Sequence, residues 1–235
     1  MYGIMFFNFF LTIIFVLLFI IVMMINIVFI TGNMNKLNEV RHILGESFNV
    51  INIKIDLIEI QSISVKEVIR YKIEEARKNI NLDEIKKKFL ELNVVINDQN
   101  DFYVICEDSG LFIKKLKKFP GALIKFYYES LGNEEIVKRD GGKKAKAICC
   151  IGLLKNNDIQ IVSGHIRGII STSVRGNNGF GWDASFTPKL SDTKYEEHDG
   201  KSYAELPSDI KNKVSQRYLA FNKLRKILTN INKTN

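Results

Sequence analysis

The first half of the chain alternates between apolar runs typical of strands and apolar residues at helical spacing. Ile25–Ile30 is an apolar run that predicts a strand, and the apolar residues of 37–44 recur at helical spacing. Residues 51–60 alternate loosely and predict a second strand, whereas the apolar stripe of 64–79 predicts a second helix. The domain is therefore expected to begin as strand, polar loop, helix, strand and helix.

The second half carries signals for a hairpin and two further helices. Residues 145–154 and 159–170 are predicted to be buried strands joined by an Asn-Asn-Asp turn, which together make a hairpin. A Phe-Pro-Gly turn at 119–121 precedes a predicted helix over 122–131, and a longer helix is predicted over 208–228.

Between these halves, an apolar strand over 102–106 runs directly into Glu107, Asp108, Ser109 and Gly110. Because side chains alternate along a strand, the two carboxylates cannot share a face unless the chain turns, and Gly110 permits a turn. One carboxylate is expected to face a metal ion or water, and the pattern allows either. A solvated acidic turn at a strand end is the alternative interpretation.

Ahead of the first strand, residues 4–25 are almost wholly apolar and uncharged, long enough to cross a membrane as a helix. The first basic residues follow this run, so an anchored chain would keep its domain in the cytoplasm. The predicted strand leaves no linker to a bilayer, however, and Met24 stands just before it. We therefore treat 1–24 as an apolar leader, either an anchor or an extension upstream of the true start, and 25–230 as the folded domain.

Composition narrows the class of protein. A chain of 235 residues with 46% hydrophobic and 26% charged residues suits one large globular domain or two small ones. The net charge of +8 suggests a polyanionic partner, but the lysines are scattered along the sequence. The polar segment 81–101 is expected to be an exposed insertion, partly helical and partly disordered, that carries some of this charge. No nucleic-acid partner is therefore expected. Three cysteines without metal or disulfide spacing favour a reducing, cytoplasmic setting.

The loop Thr31–Lys36, between the first strand and helix, is a candidate phosphate site. Unpaired backbone N–H groups at a helix start favour an anion, and the loop adds a hydroxyl, amides and a lysine. A simple N-capped helix would look the same.

Two later stretches are candidates for ligand contacts. In 175–183, three glycines surround Phe180 and Trp182, which could line such a ligand or form a hydrophobic corner. Lys211, Ser215 and roughly Arg217 fall on one broad arc of the last predicted helix, near enough to converge on a phosphate, although an ordinary basic helix would look the same.

Five segments, in this order, resemble the inosine triphosphate pyrophosphatase family, enzymes that hydrolyse non-standard purine nucleoside triphosphates. They span about residues 26–228 and are Thr31-Gly32-Asn33-x-x-Lys36-x-x-Glu39, Glu107-Asp108-Ser109-Gly110-Leu111, Phe119-Pro120-Gly121-Ala122-x-Ile124-Lys125, Arg175-Gly176-x-x-Gly179-Phe180-Gly181-Trp182-Asp183 and Ala204-Glu205-Leu206-Pro207-x-x-x-Lys211-Asn212-x-x-Ser215-x-Arg217. The resemblance implies an elongated α/β fold with a mixed central sheet, flanking helices and two lobes around a nucleotide cleft. It also implies a homodimer.

The resemblance further implies a role for each matching residue. The nucleoside triphosphate substrate would be bound through its phosphates by Thr31, Gly32, Asn33, Met34, Asn35, Lys36, Lys72 and Lys125, with Asp108 and Ser109 beside them. The purine would be held by Phe180, Gly181, Trp182 and Asp183, and the site would be closed by Lys211, Gln216 and Arg217. A divalent metal, Mg²⁺ or alternatively Mn²⁺, would be held by Glu59, Glu107 and Asp108. Asp108 would also activate the attacking water.

Two departures from the family pattern bear on function. Gln216 stands where the family usually has histidine, and Ala184 stands where it usually has proline. Glutamine can donate to a base carbonyl but cannot be charged, so the substrate preference is open. The alternatives are a non-catalytic nucleotide- or RNA-binding protein and a membrane-anchored member of the family.

Overall fold

The computed structural model describes residues 24–234, and side chains as far as residue 231. The predicted leader at 1–24 and the membrane span at 4–25 therefore lie outside the described residues, apart from Met24 and Ile25. Within the described part of the chain, no helix combines the length and the apolar character that a membrane crossing requires.

Seven strands form one mixed sheet in the order β2-β1-β3-β5-β6-β7, with β4 paired to β3. The strands are β1 (Ile25–Ile30), β2 (Phe48–Ile53), β3 (Tyr103–Ile113), β4 (Pro120–Gly121), β5 (Lys144–Lys155), β6 (Asp158–Ile170) and β7 (Phe186–Pro188). The α-helices are α1 (Met34–Leu44), α2 (Val65–Asn79), α3 (Leu82–Leu90), α4 (Ile124–Asp140), α5 (Ser208–Val214) and α6 (Gln216–Thr234). Strands β1, β2 and β3 are parallel and the other pairs antiparallel, which confirms the predicted mixed α/β sheet.

The opening pattern of strand, loop, helix, strand and helix is confirmed, with one change at β2. Asn33 caps α1 and Ser64 caps α2 through side-chain oxygens, as residues of these types commonly do. The predicted strand to residue 60 is wrong beyond Ile53, because Ile53 pairs with Ile30 and β1 ends there. Glu59 consequently lies in an irregular segment six residues past the strand.

Strand β3 continues through Gly110, so the turn that Gly110 would permit is not formed and the alternative of a solvated acidic turn is wrong. Strand β5 pairs with it from Val104 to Ile113. A Cβ atom at Gly110 would lie 2.4 Å from Val65 Cγ2, so glycine is needed for close packing of α2 on the strand. Glu107 and Asp108 therefore point to opposite faces of the sheet.

The other edge of β3 is shared by two strands. Strand β1 pairs with it at 103–105 and β4 pairs at 111–112. Between them, residues 106–110 have no strand partner on this edge within 24–234. This gap separates a lobe built on β1 and β2 from a lobe built on β4 and α4, and the acidic pair lies in it.

Helices cover both faces of the sheet. Helices α1 and α6 pack on the face that carries Glu107, and α2 and α3 pack on the face that carries Asp108. A third apolar cluster fills the lobe of β4 and α4.

Segment 81–101 differs from its prediction in two ways. Helix α3 confirms the partial helix, but Ile85, Phe89 and Ile96 are buried in the core, so the expected exposure is wrong for them. The segment also holds three lysines and five acidic residues, so it does not carry surplus positive charge.

The predicted hairpin is confirmed by the register of β5 and β6, whereas the predicted last helix is divided in two. Ser215 has an extended backbone with ψ of 160° and its Oγ accepts from Tyr218 N at 3.1 Å. Lys211 and Arg217 therefore lie on different helices, and the predicted common arc is wrong.

The burial of α3 leads to a stability prediction. Phe89→Ala should lower the free energy of unfolding by about 3–5 kcal/mol, because it empties a fully buried aromatic site. The control is Leu90→Ala on the same helix, where the side chain is 63% exposed and the expected change is below about 0.5 kcal/mol. Urea unfolding measures both. Equal small effects would mean that α3 is not part of the core.

Candidate active site

The loop before α1 leaves the helix N terminus accessible. Thr31 Oγ1 accepts from Asn33 N at 3.1 Å, and Asn33 Oδ1 accepts from Lys36 N at 3.1 Å. Residues 32–35 are exposed. The remaining N–H groups of this first turn are therefore available to an anion, and the predicted phosphate site stays a prediction.

Lys36 joins the loop to the acidic pair. Its Nζ lies 3.0 Å from Glu107 Oε2 and 3.8 Å from Asp108 Oδ1. One lysine therefore contacts carboxylates that point to opposite faces of β3, at the gap between β1 and β4. Although burial opposes it, Glu107 and Asp108 raise the pKa of Lys36, so it stays charged.

Glu107 is enclosed by protein partners. Besides Lys36, it accepts from Arg217 Nη2 at 3.2 Å, Ser109 Oγ at 2.8 Å and Cys149 Sγ at 3.3 Å. Its side chain has no exposed surface. Burial alone would raise the pKa of Glu107, but Arg217 and Lys36 hold it well below its usual value. This carboxylate is built into the fold, which leaves Asp108 as the one that faces the cleft.

Asp108 has the opposite character. Its side chain is 21% exposed, and its only ion pair within the described chain is the long one to Lys36. Burial raises the pKa of Asp108, and the negative charges of Glu107 and Glu59 raise it further. The positive charges of Lys36 and Lys72 lower the pKa but do not cancel this rise. The structure therefore supplies a carboxylate that is accessible and more basic than usual.

The structure brings Glu59 and Lys72 to the Asp108 face but leaves Lys125 at the margin. Lys72 forms an ion pair with Glu59, so the irregular segment after β2 comes back to α2. Lys125 is 73% exposed and lies 3.9 Å from Glu129, although it is close enough to help to lower the pKa of Glu59.

Glu39 is a site residue to which sequence reasoning gave no role. Its carboxylate accepts from Lys211 Nζ at 2.8 Å and forms an ion pair with Arg217. The signal available was its spacing from Lys36, since residues three apart share a helix face. Glu39 therefore holds two of the predicted substrate-binding cations.

The predicted base-binding residues converge around Phe180. Asp183 Oδ2 accepts from Phe180 N at 2.8 Å and from Lys211 Nζ at 2.6 Å. Lys211 Nζ lies 4.7 Å from the centre of the Phe180 ring, and the Arg217 guanidinium lies 5.7 Å from it. A half-buried aromatic ring thus stands beside two cations.

Tyr203 contacts two neighbouring side chains, Trp182 and Gln216. Trp182 packs 6.4 Å from the Tyr203 ring and 5.7 Å from Phe186, which favours the hydrophobic-corner interpretation for Trp182. The Tyr203 hydroxyl donates to Gln216 Oε1 at 2.9 Å. The Gln216 amide N–H₂ group has no hydrogen-bond partner among the described side chains and backbone groups of 24–231, so it can donate to a ligand.

Two carboxylates are the available donors for a metal. No group of three or more His, Cys, Asp or Glu side chains is arranged to hold a metal in the described chain. Mg²⁺ commonly uses only one or two protein carboxylates together with substrate phosphates, however. Asp108 and Glu59 meet this requirement, and both offer the oxygen donors that Mg²⁺ prefers.

Comparison with known proteins gives one consistent family. The sequence model of the Ham1 family matches residues 27–227. The dITP/XTP pyrophosphatase of Ignicoccus hospitalis is 36% identical over 206 residues, covering 86% of this chain and 95% of the relative. The inosine triphosphate pyrophosphatase of Emericella nidulans is 33% identical over 205 residues, covering 85% of this chain and 94% of the relative.

Two solved structures share the fold. The Ham1 protein of Coxiella burnetii superimposes with a TM-score of 0.63 at 24% identity, covering 88% of this chain and 100% of that protein. The Ham1 protein of Staphylococcus aureus gives a TM-score of 0.60 at 24% identity, covering 88% and 99%.

The enclosure of Glu107 leads to a pH prediction. Glu107→Gln should destabilise the protein by roughly 3–5 kcal/mol at neutral pH, because it leaves buried Arg217 and Lys36 undercompensated. A carboxylate whose folded pKa is lowered contributes stability above its unfolded pKa of about 4.3 and loses it as the pH falls. The difference between wild type and variant should therefore be constant from neutral pH to about pH 5 and narrow below about 4.3.

Urea unfolding at several pH values measures this difference. Glu46→Gln, at an exposed position, is the matched control and should change stability little. A difference between wild type and Glu107→Gln that grows as the pH falls would contradict the account.

Proposed function

Because the chain belongs to the Ham1 family, we propose that it hydrolyses the triphosphates of non-standard purine nucleosides, ITP, dITP and XTP, to the monophosphate and diphosphate. The observation that carries this proposal is Asp108, an accessible carboxylate with a raised pKa beside Lys36, Lys72 and Glu59. Such hydrolysis would clear these nucleotides from the cellular pool.

The triphosphate is proposed to bind at the gap in the sheet. It carries about four negative charges, so binding requires several donors and cations. The accessible N terminus of α1 offers N–H groups, and Lys36 and Lys72 offer full charges on the Asp108 side. Lys125 would join them only if its exposed side chain turned inward.

Asp108 and Glu59 are proposed to hold the divalent metal, Mg²⁺ or Mn²⁺. Both are carboxylates, and the repulsion that helps to raise the pKa of Asp108 would be relieved by a bound cation. A metal in this place would offset charge on the phosphates during cleavage. Glu107 is left out of this set, since its oxygens are occupied by Arg217, Lys36 and Ser109.

Asp108 is proposed to act as the base for the attacking water. A carboxylate within hydrogen-bond reach can orient water and accept its proton, and a raised pKa makes it a better acceptor. Cleavage between the α and β phosphates then releases pyrophosphate and the nucleoside monophosphate.

Selectivity against adenine is proposed to come from Gln216. Its Oε1 is fixed by Tyr203, so the amide N–H₂ group is left to donate to the ligand. A 6-oxo purine accepts such a bond, whereas the 6-amino group of adenine is itself a donor. Phe180 would stack on the base, with Lys211 and Arg217 beside it.

The cellular compartment of the protein is also proposed. Free, buried cysteines support a reducing compartment such as the cytoplasm. The homodimer implied by the family resemblance stays a prediction.

The role of Asp108 leads to a mutational prediction. Asp108→Asn should reduce pyrophosphate release from ITP with Mg²⁺ by about 100-fold or more, since it removes the base. Because the folded protein raises the pKa of Asp108, the neutral asparagine should not lower the melting temperature. Asp158→Asn, at the exposed first residue of β6, is the control and should retain full turnover. Near-normal turnover by Asp108→Asn would move the catalytic role elsewhere.

The role of Gln216 leads to a prediction on substrate choice. The ratio of kcat/KM for ITP over ATP should be about 100 or more, because adenine leaves the Gln216 donor unpaired. Tyr203→Phe should lower this ratio, since the Gln216 amide is then free to rotate. Rates of pyrophosphate release give both values. Equal kcat/KM for ITP and ATP in the wild type would exclude the proposed selectivity.

A further inference from the structure

A groove of about 1280 Å³ lies on the Asp108 face of the sheet, in the lobe built on β4 and α4. Cys150 is opposite Asp108 in the pairing of β5 with β3, and alternate residues continue the same face along β5. These residues, Ile148, Lys146 and Lys144, form part of the groove lining. The first turn of α2 forms one side.

The groove is strongly basic. Seven lysines and one arginine line it, against the two carboxylates of Glu67 and Asp199. Within the described chain, only Lys189 of these eight cations has an ion pair, to Asp192 at 2.6 Å. Seven cations without an acidic partner therefore share one depression.

Two of these cations face each other directly. Lys146 of β5 pairs in register with Arg167 of β6, and both side chains are exposed on the groove face. Like charges directly opposite on neighbouring strands are destabilising. The same field is felt by His165 of β6, whose pKa is lowered by burial and then by Lys146, Lys223 and Arg167. This arrangement opposes folding, and it contributes no contact to the proposed catalytic groups.

We propose that this groove binds single-stranded nucleic acid through its phosphates. The floor from Lys144 to Cys150 extends about 20 Å at the rise of a β-strand, which gives room for several consecutive phosphates. Phe112 is the only aromatic residue among the described lining residues besides His165, so base stacking is limited and little sequence preference is expected.

A second copy of this chain fits the groove poorly. Two such faces brought together would oppose seven uncompensated cations with seven more. The inference also revises the expectation of no nucleic-acid partner, because lysines that are scattered in sequence converge in the fold.

The test is binding of a fluorescent oligo(dT) of about 12 nucleotides, followed by anisotropy between about 50 and 200 mM NaCl. The groove variant K144Q/K146Q/R167Q is compared with K87Q/K138Q/K226Q, which removes the same charge from exposed positions outside the groove. Neither set touches the proposed catalytic residues, and pyrophosphate release from ITP should be unchanged in both. Binding is measured without nucleotide, so it does not depend on the proposed hydrolysis.

The groove variant should bind about tenfold more weakly or worse, and its slope of log K against log salt should be shallower by about 2, since each phosphate contact contributes about 0.7. The control variant should stay within about twofold of wild type. If both variants lost the same affinity for oligo(dT), the loss would reflect net charge alone and the proposal would be overturned. Unchanged oligo(dT) affinity in the groove variant, with or without an altered oligomeric state, would also overturn it.

Discussion

A buried chain of alternating charges holds the site together. The cations come from α1, α5 and α6, and the carboxylates come from α1, β3 and the segment before β7. Each group forms an ion pair with the next in the order Lys36, Glu107, Arg217, Glu39, Lys211 and Asp183. Three positive and three negative groups compensate one another, and only Lys36 and Glu39 among them are partly exposed to water. Removing any member leaves a buried charge, so the chain fixes how α1 and the last two helices sit on the sheet.

The alternation of β3 assigns different tasks to adjacent carboxylates. Glu107 points towards α1 and α6, where four donors surround it, and its ionised form is part of the fold. Asp108 points to the other face, where fewer partners and partial exposure leave it available for chemistry. An unbroken strand places the structural carboxylate next to the proposed catalytic one and on the opposite face, which a turn would not have done.

Local sequence patterns predicted the helices and strands well but predicted the residues at which they end less well. The strands β1 and β5 follow from their continuous apolar runs, because both of their faces are buried, and the helices α1 and α2 follow from periodicity, because each buries one apolar stripe. The end of β2 and the burial of Phe89 depend on partners distant in sequence, which periodicity does not show.

The residues of the candidate site also fall into those that local motifs predicted and those that depend on partners distant in sequence. Motif residues such as Lys36 and Asp108 could be named from sequence, but the partners of Glu39 are more than 170 positions away along the chain. The break at Ser215 was also hidden, since Lys213, Gln216 and Arg217 near it are good helix formers. It lets Lys211 and Arg217 reach Glu39 from two helices.

The position of the bond that is cleaved tests the central claim most directly. Phosphorus NMR of purified protein with ITP and Mg²⁺ should show pyrophosphate and inosine monophosphate as the only products. Orthophosphate and inosine diphosphate would contradict the account, because they would place the attack at the terminal phosphate.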